Sequence, residues 1–331
     1  MVRTLAAKDP QHAGKVLAGL AAYQQAERNE MPRKTDVVSQ VERASLLDYG
    51  GSGPPVVFIP SLINPAHILD IAPHNSMLRW LSGHGIRPLL VDWGTPTPAE
   101  SARDLAGHVE DLLVPLVEAL GERPVLAGYC LGGTIAIAAA TMLRPRGLAL
   151  IATPWRFAGF PEQGREDMSA LWSDVHDAAD AMGLLPIEVL QAAFWRLDPD
   201  RVMRKYAEFG DLDPAGDAAR AFVTLEDWAN AGAPLTWAAG RDLFDDLFYA
   251  DLPGRGRWRV GGAFVDPATI DAPILDIIST CDRIVPAATA LGRGTTRLLD
   301  AGHVGMVVGR RARDQLWNPL LQWLSQLPPS W

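Results

Sequence analysis

At 331 residues and 48% hydrophobic content, this chain is long enough for one large α/β domain or for a core carrying an inserted subdomain. Its 30 basic against 39 acidic residues, a formal net charge of −9, exclude a general nucleic-acid binder and give an anionic substrate no global attraction, so any such attraction must be local. Two cysteines point to a reducing, cytoplasmic setting, and no apolar run reaches the roughly 18 residues of a membrane span.

Met1 to Glu30 has no uninterrupted apolar segment and no cleavage signal, so export is not expected. Within residues 1–35, Ala6 to Arg28 reads as a weakly amphipathic helical extension. Val37-Val38 through Leu46-Leu47-Asp48-Tyr49 predicts an opening antiparallel pair of strands, followed by a turn at Gly50-Gly51-Ser52-Gly53-Pro54. Pro55 to Pro60 predicts a buried strand, Met77 to His84 a helix, and Pro88 to Trp93 the next strand. Ala102 to Leu120 predicts an amphipathic helix, with Leu105, Val109, Leu112, Leu116 and Leu120 on one stripe.

The apolar run Pro124-Val125-Leu126-Ala127 leads into Gly128-Tyr129-Cys130-Leu131-Gly132-Gly133 and then the small-residue helix Thr134 to Ala140. Strand, sharp turn and helix around G-x-nucleophile-x-G form the setting of a nucleophile elbow, here with cysteine where serine is usual. Glycines suit it because the turn is strained and its neighbours must pack closely without a Cβ. A helix N-terminus also favours the thiolate form of a cysteine placed there. The bland alternative, a buried structural cysteine beside a Gly-rich turn, does not account for the strand and helix on either side.

Gly147 to Ile151 is the next strand. After Thr153-Pro154-Trp155 the strand–helix alternation stops until Ile270, and this stretch includes Trp155, Trp172, Trp195, Trp228 and Trp237. Helical spacing recurs in Ile187 to Trp195 and Trp237 to Phe248. Residues 156–265 are therefore expected to form a mobile, mainly helical lid over Cys130, set into a core of residues 36–155 and 266–331. The tryptophans read chiefly as lid packing, with one or two lining an acyl pocket.

Alternation resumes with the strand Ala272 to Ile278, whose end passes into Ser279-Thr280-Cys281-Asp282; Thr296 to Leu299 and then Gly302-His303-Val304-Gly305 follow. Nucleophile, acid, histidine is the chain order of α/β-hydrolases. A thiol needs a base, and the base needs a carboxylate to fix its tautomer; His303 and Asp282 fill those roles. Asp276 is the rival acid, but it lies mid-strand and would point into the sheet. The oxyanion donors expected on this plan are the N–H of Leu131 and those of the loop after the first core strand, at Leu62 and Ile63. A Cys130–Cys281 disulfide would consume the nucleophile and is not expected. Neither a cofactor nor a metal is called for. The predicted fold is an α/β-hydrolase fold with a mostly parallel central sheet flanked by helices.

Several motifs together resemble the polyhydroxyalkanoate synthases. Gly128-Tyr129-Cys130-Leu131-Gly132-Gly133-Thr134 is similar to their cysteine-containing lipase box. Pro60-Ser61-Leu62-Ile63-Asn64, Ile68-Leu69-Asp70, Asn75 to Leu81, Val91-Asp92-Trp93-Gly94, Asp227-Trp228 with Pro234, Asp282 to Pro286, and Gly302 to Gly309 also match family patterns, across residues 36–328. The resemblance implies Cys130 as nucleophile, His303 as general base and Asp282 as its acid partner. It implies an acyltransferase that polymerises 3-hydroxyacyl-CoA into polyester with CoA release. Its partners would be the acyl-CoA and the growing polyester chain, with a second synthase subunit or a homodimer and a place at polyester granules. The chain lacks the long N-terminal domain of single-subunit synthases and is closer in length to the catalytic subunit of the two-subunit classes. Arg283 stands where the family often has His, and Ser61-Leu62 replaces its usual Pro-Trp.

Cysteine has a chemical rationale of its own. Acyl transfer from CoA exchanges one thioester for another, so the acyl-enzyme stays activated enough to acylate a hydroxyl. Two other readings use the same residues. In one, water resolves the acyl-enzyme, giving a thioesterase or an intracellular polyester depolymerase. In the other, the chain is a granule scaffold with a vestigial site.

Overall fold

The computed structural model describes residues 9–28, 35–197 and 199–328; the side chains of 193–197 and 199–202, and so that of Trp195, lie outside the description. Eight strands form the main sheet: β1 (Asp36–Val41), β2 (Ala44–Asp48), β3 (Pro55–Ile59), β4 (Arg87–Asp92), β5 (Val125–Tyr129), β6 (Gly147–Ile151), β7 (Ile274–Ser279) and β8 (Thr295–Leu299). Their spatial order is β1-β2-β4-β3-β5-β6-β7-β8. The pairs β1–β2 and β2–β4 are antiparallel. All the others are parallel, from β4–β3 through β7–β8. The mostly parallel sheet predicted from the alternation is thus present. Every residue of β3, β5 and β6 is buried, as expected for parallel strands covered on both faces.

The helices include α1 (Pro10–Gln25), α2 (105–118), α3 (Leu131–Leu143), α4 (Glu162–Met182), α5 (Pro199–Phe209) and α6 (Asp217–Asn230), with others at Met77–Ser82, Ile187–Leu197, Trp237–Arg241 and Asn318–Ser325. The helix expected over 102–120 is shorter and uneven. Ahead of Pro115 it opens into a wider turn in which the Val114 N–H bonds Val109 O, five residues back. Pro115 supplies the reason, because its ring lacks an N–H and crowds the preceding turn. The stripe still serves: Leu105, Val109, Leu112 and Leu116 are fully buried.

The chain separates into two compact units. One comprises Lys34–Ile187 with Ala233–Trp331; the other comprises Met1–Arg33 with Glu188–Gly232. The segment 156–265 is therefore divided between them. Its flanks belong to the α/β unit, where Leu184–Leu185 pairs antiparallel with Leu235–Thr236. There Ala238 N–H donates to Ser101 O (2.9 Å), and Leu105 N–H donates to the buried Asp242 carboxylate (3.0 Å). Trp172 stacks on Phe244 at 5.0 Å, which gives this tryptophan its packing role.

The middle of the segment joins the N-terminal helix in the helical unit. Among its described residues, Val16, Tyr23, Met203, Ala207, Phe209, Ala219 and Val223 form buried clusters. Gly19 lets α1 and α5 approach closely, since a Cβ there would lie 1.7 Å from Tyr206 O. Tyr23 OH donates to Asp227 (2.6 Å), and Lys205 and Tyr206 both donate to the buried Glu226 (2.6 and 3.0 Å).

Candidate active site

Cys130 sits between β5 and α3 with φ 57° and ψ −131°, a left-handed conformation that a side-chain-bearing residue adopts only at a cost of about 1–3 kcal/mol. The Cys130 N–H bonds Ile151 O at 3.0 Å, which ties the turn to β6. The neighbouring glycines explain how such a turn is held. A Cβ on Gly128 would lie 2.3 Å from Gly133 Cα, one on Gly132 2.1 Å from Ile59 O, and one on Gly133 1.8 Å from Thr153 Oγ1. Strand β5, helix α3 and the end of β3 converge more closely than any side chain permits. Cys130 is partly exposed.

His303 lies after β8 and is buried, and its Nδ1 is 2.7 Å from Asp282 Oδ2. The other oxygen of Asp282 accepts from the N–H groups of Ile284 (2.8 Å) and Val285 (3.0 Å), so the turn itself aims the carboxylate. Ser279 Oγ donates to Ala301 O (2.6 Å) and Thr280 N–H to Leu299 O (3.0 Å), fastening the acid loop to the histidine loop. Burial opposes charge on the His303 ring. It is outweighed by the negative charge Cys130 carries when ionised and by the hydrogen bond to Asp282, which push the pKa up to about 10. Cys130, His303 and Asp282 are thus brought together as one interacting group.

Asp276 is placed elsewhere. It is fully buried on β7, one oxygen accepts from Gly292 N–H (2.8 Å), and the other has no partner among the described residues. Burial pushes its pKa up to about 6. Its environment resists charge, whereas the environment of Asp282 is built to accept an N–H from histidine.

The residues expected to donate to an oxyanion divide. Leu131 is the first residue of α3, and neither its N–H nor that of Leu62 has a hydrogen-bond partner among the described residues. The Ile63 N–H donates to Ser61 Oγ at 3.2 Å and is engaged within the loop itself. Cys281 is exposed, and its Sγ is 3.8 Å from Ser279 Oγ; both cysteines are free thiols. Among the described residues no group of three or more His, Cys, Asp or Glu side chains is disposed to hold a metal ion.

Tyr129 was not singled out from the sequence. Its ring stacks on His303 (5.0 Å between centroids, 23° between planes) and its hydroxyl donates to His303 O at 3.2 Å. Burial raises its own pKa well above the ordinary tyrosine value, so it stays a neutral wall behind the imidazole. Its place beside the nucleophile in Gly128-Tyr129-Cys130 was the available signal.

The sequence matches the family model described as "Alpha/beta hydrolase family" over residues 56–315. Among curated proteins it is similar to the "Poly(3-hydroxyalkanoate) polymerase subunit PhaC" of Haloferax mediterranei, 24% identical over 293 residues, covering 82% of this chain and 58% of that one. The protein of the same name from Allochromatium vinosum is 27% identical over 292 residues, covering 82% of this chain and 81% of that one. The chain spans about three-fifths of the length of the haloarchaeal relatives, 58% and 61%. Solved structures with a similar fold include a bromoperoxidase from Bacillus anthracis (TM-score 0.54, 15% identity, 89% of this chain and 100% of that one). An esterase from Exiguobacterium antarcticum is another (TM-score 0.52, 14% identity, 86% of this chain and 96% of that one). At such identities the solved structures establish the fold alone. The motif resemblance to polyhydroxyalkanoate synthases and the names of the curated relatives agree.

Proposed function

This chain belongs to the alpha/beta hydrolase family, and on that premise we propose that it is an acyltransferase polymerising 3-hydroxyacyl-CoA into polyester through a Cys130 acyl-enzyme. The observation that carries the reading is a cysteine, not a serine, in the strained elbow, interacting with a buried His303 that Asp282 orients. The polymerase names of the curated relatives support the same class of chemistry.

In the first half-reaction His303 takes the thiol proton and Cys130 Sγ attacks the thioester carbonyl. The Leu131 and Leu62 N–H groups receive the oxyanion. The carbon–sulfur bond to CoA breaks, and the proton held on His303 leaves with the CoA thiol. In the second, the 3-hydroxyl of the next unit or chain end attacks the acyl carbonyl, its proton passes to His303, and the Cys130 thiol is restored. One thioester gives way to another before the irreversible oxoester forms, which a serine nucleophile could not arrange. No cofactor is needed. Residues within 156–265 serve to limit water at the acyl-enzyme. Further partners fitting this reading are a second synthase subunit, a second copy of the chain and the polyester granule surface, in the cytoplasm.

The partial exposure of Cys130 favours one alternative, hydrolysis of the same acyl-enzyme by water. Incubating the pure protein with 3-hydroxybutyryl-CoA separates the two. CoA release with insoluble or oligomeric ester supports polymerisation, and CoA release matched by free 3-hydroxybutyrate supports a thioesterase. No CoA release in the presence or absence of a second subunit overturns both.

A further inference from the structure

Three elements meet at the carbonyl of Pro60, immediately before the loop that carries Leu62. The Trp93 indole Nε1, at the end of β4, donates to Pro60 O at 3.1 Å in a buried position. From the other side, Gly132 of α3 presses against the same peptide: a Cβ there would lie 2.5 Å from Pro60 O and 2.6 Å from Pro60 C. The Pro60 peptide is therefore clamped between the helix that begins at Leu131 and the Trp93 ring.

Trp93 is itself held. Arg43, from the β1–β2 turn, donates to Trp93 O through one guanidinium nitrogen. Its second nitrogen meets His108 Nε2 at 2.8 Å, and its Nε donates to Glu100 at 2.9 Å. His108 is almost wholly buried, its Nδ1 lies 2.7 Å from Asp104 O, and its ring meets Trp93 edge to face at 6.0 Å. With Nδ1 as the donor to Asp104, Nε2 is left as an acceptor for Arg43. Gly94 follows with φ 64°, and a Cβ there would lie 2.4 Å from Arg43 O, so the two loops touch through their backbones. Nothing in the acyl-transfer chemistry uses these groups, yet burying an arginine and a histidine demands a complete set of partners.

We infer that Trp93, braced by Arg43 and His108, is a positioning residue that fixes the Leu62 donor relative to the Leu131 donor through Pro60. The inference rests on the proposed acyl transfer only in needing an oxyanion at Cys130. An oxyanion hole must hold its donors to within a fraction of an ångström of where the charge develops, and a loop donor has no helix to fix it. The indole bond supplies that constraint from a different strand.

The test compares two reactions of the same thiol. Acylation of Cys130 by p-nitrophenyl butyrate, read as a burst of p-nitrophenolate, creates an oxyanion. Alkylation by iodoacetamide breaks a carbon–iodine bond at a saturated carbon and creates none, while still requiring His303 to take the proton. Trp93→Phe keeps a ring and removes the N–H. Acylation is expected to fall about 10- to 100-fold, with the alkylation rate unchanged and kcat affected more than KM. Arg43→Met, which leaves the indole in place, is expected to act in the same direction but less strongly, and it decides the matter if Trp93→Phe does not fold. Equal losses in acylation and alkylation, or no loss of acylation, overturn the inference. A wild-type burst with no polymer from 3-hydroxybutyryl-CoA instead overturns the polymerase reading and leaves this one standing.

Discussion

The α/β unit and the helical unit both use glycine to bring backbones close, but for different ends. In the α/β unit, Gly128, Gly132 and Gly133 hold a strained cysteine against β3 and β6, inside strands buried along their whole length. In the helical unit, Gly19 merely seats α1 on α5, beside small clusters of buried side chains. A large core can bear the cost of a strained functional turn; a small one has no such reserve and should open first. The difference predicts which unit holds its geometry and which opens first.

The sharpest break comes at the nucleophile. Cys130→Ala should lower CoA release by about 10⁴-fold or more while leaving the circular dichroism of both units unchanged. Near-normal turnover in that variant would place the chemistry elsewhere.

Next come two of the buried acids of the α/β unit, Asp282 and Asp276. Asp282→Asn should lower kcat by about 10³- to 10⁴-fold, because an amide can hold His303 in the wrong tautomer. Asp276→Asn should change kcat by less than about tenfold. It should also remove the loss of stability expected as pH rises through about 4 to 6, where the buried Asp276 must ionise. A reversed ranking of the two variants would mean the wrong acid has been chosen.

Gly19→Ala tests the helical unit. The new methyl meets a backbone carbonyl that cannot swing aside, so about 1–3 kcal/mol of local stability should be lost. Hydrogen exchange should rise across 10–25 and 199–230 while β5 and α3 keep their protection. Equal loss of protection in the sheet would show that the two units unfold as one and would abolish the contrast.

The smallest effect is electrostatic. The raised pKa of His303 means that the folded protein binds its proton more tightly than the unfolded chain does. That stabilisation is complete below about pH 6.5 and is lost as pH rises through about 10. Cys130→Ala removes the largest cause of the rise, so melting temperatures of the variant should fall less steeply than those of the wild type across pH 7 to 10. Parallel curves would show that Cys130 and His303 do not interact.

The elbow was legible because its signals are local. An apolar strand, paired glycines and a small-residue helix specify a strand–turn–helix within a score of consecutive residues, whatever surrounds them. The places of Asp276 in mid-strand and of Asp282 in the loop beyond it were legible too, from the apolar run that ends at Ser279. The uneven turn at Pro115 could have been read from the proline itself, but the strong apolar stripe of 105–116 masks it.

The sequence by itself thus determined the fold class and the order of the strands along the chain, and it singled out Cys130, His303 and Asp282 as the candidate group. All of these follow from local periodicity and from the reactivity of side chains. Only the tertiary structure decided which distant segments share a core. Tyr23 reaches Asp227 across 204 positions, so the N-terminal helix and residues 188–232 form one unit, and the segment 156–265 is divided. Only the tertiary structure turned Tyr129 onto His303, engaged the Ile63 N–H with Ser61, and brought the Trp93 indole to Pro60. The physical reason is the same in each case. A hydrogen bond or ring contact needs its partners within a few ångströms, and for side chains far apart in sequence that proximity is set by the packing of the whole fold.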